Sequence, residues 1–406
     1  MDYLKNFKEK QLILFFLFPI TLVSIKIVGN LILLLIFCFG VYKSITKKLN
    51  PYTHGDLKAL SVLSLIYFLI MLGSIMLSSG FGPEIQHIAR KLHFLFIPYI
   101  AVAFYKENFK FTDLIFSTKL ALILSFFIVM TEVYFDEGFI FGASNNSGMI
   151  NSNVFGDLIV TILFISIVNI FEEKGKDLLL TFIAILSSIS VIFISGSRGS
   201  WLALIILFIV YMFFFFRRLQ LAYSFNRKVV SIMILSVSIF TIFILPIVVD
   251  KYNSTIDNFE NWNMDHSIYN SSGVRLDMWS SSLEALDKMP WYGYGYRLAN
   301  KEVSKYSEFH SEIISKFTHL HNEYITTFMS AGFLGILSLL SILFLPLYLF
   351  FLRRETDGMN KYSMAGIFVC LSYIVFGNFH IAFGEEHVNA LYVFLMAYFI
   401  PKVMKS

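Results

Sequence analysis

Apolar runs long enough to cross a bilayer recur along almost the whole of this 406-residue chain, and no other feature of the sequence restricts its fold as strongly. A membrane's hydrocarbon core is about 30 Å thick, which an α-helix crosses in roughly 20 residues. Twelve segments qualify as candidate helices: Gln11–Val28, Gly29–Ile45, Ala59–Ser79, Lys91–Tyr105, Asp113–Phe135, Asn153–Phe171, Leu178–Ser195, Ser200–Phe216, Val229–Val249, Glu323–Phe351, Tyr362–His380 and His387–Met404. The pattern predicts an all-α, polytopic membrane protein with about 12 transmembrane helices. Composition agrees. Only 15% of the residues are charged and 57% are hydrophobic, whereas a soluble domain carries about a quarter charged residues. An ordinary globular enzyme, a disordered chain and a collagenous chain are thereby excluded.

Lys and Arg between these segments orient the chain. With the N-terminus in the cytoplasm, 20 cations fall on the cytoplasmic side, against Lys26, Arg90, Lys91 and Arg198 in the short connections opposite. The positive-inside rule then puts both termini of this multi-pass membrane protein in the cytoplasm. The first apolar run has a basic front but no small-residue cleavage signature, so it reads as an uncleaved anchor. Cys38 and Cys370 both sit in apolar runs, where a thiol behaves as a small hydrophobe, and two such residues make neither a disulfide framework nor a metal site. The net charge of +4 does not imply nucleic acid.

One connection stands apart. Asp250–Asn322 is 73 residues of polar sequence with ten acidic residues and three of the four tryptophans, Trp262, Trp279 and Trp291. It divides the chain into helices one to nine over 1–249, a large outer loop over 250–322 and helices ten to twelve over 323–406. The runs Asp277–Lys288 and Leu298–Lys316 predict short helices within the loop.

Three polar clusters fall on the same, outer side of this topology. Ser195-Gly-Ser-Arg198-Gly-Ser200 precedes an inward-running helix, whose N-terminus carries the positive end of the dipole. Glycines that free backbone N–H groups, serines and an Arg fork suit a phosphate. The alternative is a tight turn with Arg198 reaching lipid headgroups. Ser272-Gly-Val-Arg275 is followed one turn later by Trp279, and Arg275 reads either as a solvated residue or as a cation facing the bilayer surface. Thr318-His-Leu-His-Asn322 opens the tenth helix. His321 suits general-base work because its ordinary pKa lies near neutrality, and Asn322 suits an N-cap. His319 and His321 lack a third metal ligand at convincing spacing.

These motifs in this order resemble the O-antigen ligase and polymerase superfamily of bacterial membrane glycosyltransferases. The likeness is carried by Ser-Gly-Ser-Arg198-Gly at a helix start, Arg275-x-x-x-Trp279 and Pro290-x-x-Gly293-x-Gly295 in a long loop, and His321-Asn322 followed by Gly332-Phe-Leu-Gly335. Asn151-Ser-Asn153 approaches the family's Asn-Pro-Asn, with Ser152 in place of the proline. The resemblance implies a GT-C-like architecture. It also implies transfer of a glycan from undecaprenyl pyrophosphate to a sugar of the lipid A core at the periplasmic face, without a cofactor or metal. On that reading His321 is the base and Arg198 and Arg275 stabilise the leaving pyrophosphate. Ser197, Gly199, Asn153, Trp279, His319 and Asn322 complete the substrate site, and the partners are the lipid-linked donor, the lipid A-core acceptor and membrane lipids.

A polymerase that joins lipid-linked repeat units is the alternative within the family; the paired Arg-x15-Gly loops associated with it are not evident after Arg275. A secondary transporter is the alternative from another class, and it would require midplane charges and symmetry between halves that the sequence does not display. Glu84-x-x-His87-x-x-Arg90-Lys91-x-His93, Glu132 and Glu385-Glu-His387 read as interfacial groups.

Overall fold

The computed structural model describes residues 2–52, 55–79, 85–105, 107, 109–135, 151–221, 245–246, 249–250, 252–254, 256–260, 270–352 and 360–403. Every long regular element among them is helical. In chain order these are α1 (Asp2–Ser24), α2 (Lys26–Thr46), α3 (Gly55–Ser79), α4 (Ile85–Leu92), α5 (Ile97–Phe104), α6 (Phe111–Phe135), α7 (Ser152–Ser166), α8 (Lys176–Ile194), α9 (Arg198–Leu221), α10 (Ser271–Ala285), α11 (Ala299–Ser304), α12 (Ser311–Lys316), α13 (Glu323–Leu352), α14 (Lys361–Phe376) and α15 (Glu386–Val403).

The expectation of about 12 transmembrane helices in a GT-C-like arrangement is corrected. Five helices among the described residues are long and apolar enough to cross a membrane: Ile27–Thr46, Gly55–Leu77, Phe111–Glu132, Lys176–Ile194 and Glu323–Leu352. The apolar runs overstate helix length because they continue through turns. The run that starts at Asn153 stays apolar to Phe171, yet α7 ends at Ser166; the run to His380 leaves the helix at Phe376. The Lys91–Tyr105 run is split by a 3₁₀ turn over His93–Phe96 into α4 and α5, each of eight residues. Four further apolar stretches, Leu12–Ser24, Asn153–Ser166, Arg198–Phe214 and Lys361–Phe376, are 10–17 residues long among the described residues, shorter than those five. Most of the candidate Val229–Val249 lies outside the described residues.

The chain divides into two compact units. The first comprises Met1–Leu69, Ile85–Arg217 and Ser338–Ser406. Within it α1 packs on α2 and α6, α6 on α7 and α8, and α14 on α7 and α15. Helix α15 is apolar on all sides and buried from His387 to Ile400, as expected of a helix enclosed by others. Aromatic residues fill the space around it: Phe18 and Phe394 lie 4.3 Å apart, Tyr373 and Tyr392 4.9 Å, Phe104 and Tyr398 4.9 Å. Their phenols need partners once buried, and Tyr373 donates to Val388 O at 2.5 Å. Two ion pairs are enclosed as well, Lys43 with Glu107 at 2.8 Å and Lys119 with Glu173 at 2.6 Å.

The second unit comprises Ile70–Glu84 and Arg218–Leu337, and it contains most of the polar connection. That connection has an apolar core of its own. Val274, Met278 and Ala285 from α10, Ala299 and Val303 from α11, Ile314 from α12, and Leu320 and Met329 are all at most 3% exposed. The stretch predicted as one helix over Leu298–Lys316 is two short helices separated at residues 305–310.

The junction with α13 explains two of the glycine motifs. Gly332 has φ +63° and kinks α13. A Cβ there would lie 2.0 Å from Trp291 O, so only glycine admits the approach. The kink leaves helix carbonyls open, and the Pro290–Gly295 stretch fills them: Tyr294 N donates to Met329 O at 2.8 Å and Gly295 N to Ser330 O at 2.9 Å. The motifs Pro-x-x-Gly-x-Gly and His-Asn-x9-Gly are therefore two sides of one backbone joint.

Candidate functional site

In the second unit the Arg275 and His321 motifs are tied together. Asn270 caps α10 by accepting from Ser272 N at 3.1 Å and Gly273 N at 2.6 Å, so the helix begins one turn before Arg275. Arg275 and Trp279 follow each other at i, i+4 and share a face. Trp279 Nε1 donates to Leu320 O at 3.0 Å, which fixes α10 to the residue beside His321.

His321 has φ +50°, a left-handed conformation uncommon for a residue with a Cβ. Such backbone costs of order 1–2 kcal/mol and is retained where its surroundings enforce it. Here they do. Leu320 N donates to Thr326 Oγ1 at 3.1 Å, and Asn322 Oδ1 accepts from Ile325 N at 3.0 Å as the cap of α13. Both flanking residues are thereby fixed to the helix start, and the half-exposed His321 ring is turned against Phe317, with centroids 5.0 Å apart, and His319, with centroids 4.6 Å apart. Thr318 Oγ1 bonds His319 Nδ1 at 3.0 Å. Nearby, burial pushes the Tyr294 phenol up from its ordinary pKa, as do the neighbouring Tyr306 and Glu302, and it donates to Ala285 O at 2.7 Å.

In the first unit the Ser195–Ser200 turn is built against α7. Asn151 caps α7 by accepting from Asn153 N at 2.9 Å, so Asn153 stands in the first turn of that helix. Ser197 Oγ, from the turn, accepts from Ser200 N at 3.3 Å and bonds Ser200 Oγ at 2.8 Å. Ser200 Oγ also donates to Asp157 Oδ1 at 2.8 Å, and the other oxygen of Asp157 is bonded to His380 Nε2. Gly199 lies against Phe379, whose Cβ is 2.9 Å from where a side chain would start. Arg198 begins α9, half-exposed.

The predicted residues thus form two groups. Arg275, Trp279, His319, His321 and Asn322 are in the second unit, and Asn153, Ser197, Arg198 and Gly199 in the first. Sequence reading missed Asp157, His380, Asp277 and His310. Asp157 carried a usable signal, since an acid inside an apolar helix is expensive and usually functional. Its partner is 223 residues away and carried none. Among the described residues no three His, Cys, Asp or Glu side chains gather as metal ligands.

The family model described as O-antigen ligase matches residues 182–340, a span that holds Arg198, Arg275, His321, Asn322, Gly332 and Gly335. Over that span, the chain is similar to the O-antigen ligase family. An uncharacterized protein of Haemophilus influenzae strain Rd is 24% identical over 380 residues, which cover 87% of this chain and 88% of that protein.

Proposed function

We propose that this protein is an O-antigen ligase of the bacterial inner membrane, with both termini cytoplasmic and the site open to the periplasm. It transfers a glycan from undecaprenyl pyrophosphate to a sugar hydroxyl of the lipid A core. The observation that carries this reading is the constrained His321, presented at the start of α13 in the unit that also holds Arg275.

His321 takes the proton of the acceptor hydroxyl, whose oxygen attacks the anomeric carbon of the donor sugar in line with the departing group. The bond from that carbon to the pyrophosphate oxygen breaks, configuration inverts, and undecaprenyl pyrophosphate leaves with the electron pair. Arg275, in the unit of His321, stabilises the charge that develops there, and Arg198 of the first unit is a second phosphate ligand, because a guanidinium fork matches phosphate oxygens with paired hydrogen bonds. Trp279, His319 and Asn322 shape the substrate site in the unit of His321, and Asn153, Ser197 and Gly199 are the substrate-binding residues in the unit of Arg198. A donor with a polyprenyl tail can reach such a site without leaving lipid.

The test is deletion of the gene followed by electrophoresis of the lipopolysaccharide. Loss of a ligase leaves bare core, with polymer stranded on its carrier; core capped by a single repeat unit would identify a polymerase instead. Restoring the wild-type chain should restore ligation, whereas His321→Ala or Arg198→Ala should not, at unchanged abundance in the membrane. Ligation by either variant would remove that residue from the site.

A further inference from the structure

Each of the two arginines is followed, two residues later, by a side chain tied into a buried aspartate–histidine pair. After Arg198 comes Ser200, which donates to Asp157 Oδ1 at 2.8 Å while His380 Nε2 holds the other oxygen of Asp157. After Arg275 comes Asp277 itself. Its Oδ2 bonds His310 Nδ1 at 2.9 Å and accepts from Ser307 Oγ at 2.7 Å, and its Oδ1 accepts from Ser281 Oγ at 3.2 Å. Both pairs are enclosed: Asp157 is 1% exposed, His380 7%, Asp277 8% and His310 2%.

Buried acid–base pairs are poor stabilisers, because desolvation offsets most of their attraction, and well-packed apolar residues often do as well or better. Two of them, one bonded to the residue two positions after an arginine and the other containing it, call for another explanation. Local geometry supplies it. At Gly156 a Cβ would lie 2.5 Å from Ser200 Oγ, so the α7 backbone lies close enough to the turn for the short Asp157 side chain to reach Ser200. Asp157 and His380 thus fix the first turn of α9, where Arg198 stands. Asp277 and His310 fix α10 to the 307–310 turn on the face roughly opposite Trp279, since two residues turn a helix by about 200°.

We propose that Asp157–His380 and Asp277–His310 are positioning pairs that, each within its own unit, orient Arg198 and Arg275 for binding diphosphate oxygens of a lipid-linked donor. The proposal rests on the reading of these arginines as pyrophosphate ligands. Fork-to-oxygen recognition is directional, so a guanidinium on a loosened backbone loses affinity even when its charge remains.

The test uses the full-length protein in nanodiscs, titrated with undecaprenyl pyrophosphate. Arg198→Lys and Arg275→Lys should each weaken binding roughly tenfold, since lysine keeps the charge and loses the fork. Ser200→Ala, Asp157→Asn, Ser307→Ala and His310→Gln should each weaken it by about threefold to tenfold. The serine variants remove one hydroxyl and carry the test where an Asp or His variant fails to fold. The deciding readout is coupling. Ser200→Ala should add less than about twofold in the Arg198→Lys background but its full loss in the Arg275→Lys background, and Ser307→Ala should behave the opposite way. Full multiplication in both backgrounds, or wild-type binding by the serine variants, overturns the positioning role and leaves the pyrophosphate reading standing. Wild-type binding by both lysine variants overturns the pyrophosphate reading and the positioning role together.

Discussion

Around Arg198, segments from three distant parts of the chain meet through side-chain hydrogen bonds; around Arg275 and His321, a small apolar core and backbone bonds share the work with the Asp277–His310 pair. In the first region Asp157, Ser200 and His380 are joined by a few atoms at a stretch buried at every residue from Val154 to Ile170. In the second, eight buried apolar residues pack under α10, α11 and α12, and Tyr294 and Gly295 dock onto a kinked helix through their amides. The difference teaches where each region can be broken. A concentrated polar junction fails when one partner is removed, because the others remain buried without it. A distributed core yields by degrees.

The largest effect should therefore come from Asp157→Ala. It takes the Asp157 carboxylate from both the His380 imidazole and the Ser200 hydroxyl, and breaking a buried pair costs about 3–5 kcal/mol. Thermal unfolding of the purified protein should show the loss. Removing His380 as well, in the double variant Asp157→Leu with His380→Leu, should recover much of it, since two apolar residues demand no partners. A single variant as stable as wild type would mean that the junction is open to water, and the contrast between the two regions would fail.

The same contrast decides what could be read from the sequence. Arg198, Arg275 and the His321–Gly332 motif were legible because turns, caps and kinks are local and leave contiguous signatures. The Pro290–Gly295 stretch was legible as turn-rich, but its docking on α13 was not, because a backbone hydrogen bond to Met329 O leaves no trace in residue type. Asp277 and His310 are 33 residues apart and lie in a loop where charged residues are ordinary. Membrane crossings were over-read for a related reason. Apolar residues line turns such as Ile167–Phe171 as readily as helices when the turn is buried, so hydropathy registers burial and not helix length. Helix α15 makes the point in reverse: it is apolar because other helices enclose it.

A smaller effect should follow from Trp279→Phe. The ring's bulk is kept, and the bond from Nε1 to Leu320 O is lost, which costs about 1–2 kcal/mol where the carbonyl is left unpaired. Because that bond links α10 to the residue beside His321, glycan transfer should fall by more than the stability loss accounts for. Transfer assayed at a temperature where both proteins are fully folded separates the two. A fall in stability with unchanged transfer would show that the Leu320 tie serves the core alone.

The smallest effects, and the finest comparison, lie in the two asparagine caps. Asn151 accepts one amide, Asn153 N, whereas Asn270 accepts two and also donates through Nδ2 to Asn258 O at 3.3 Å. Replacing an N-cap by alanine costs about 1 kcal/mol where the cap residue acts through its side chain alone. If the number of orphan amides sets the cost, Asn270→Ala should exceed Asn151→Ala, by up to about 1 kcal/mol. Surroundings push the same way, since the first turn of α7 runs straight into buried helix that resists fraying. Amide hydrogen exchange resolves the two sites. Ser272 and Gly273 should exchange markedly faster in Asn270→Ala, with the change reaching Arg275, whereas in Asn151→Ala the increase should stop at Asn153. Equal, confined increases at both helices would mean that α10 is held by its core and not by its cap, and that Arg275 needs no help from the residue that starts its helix.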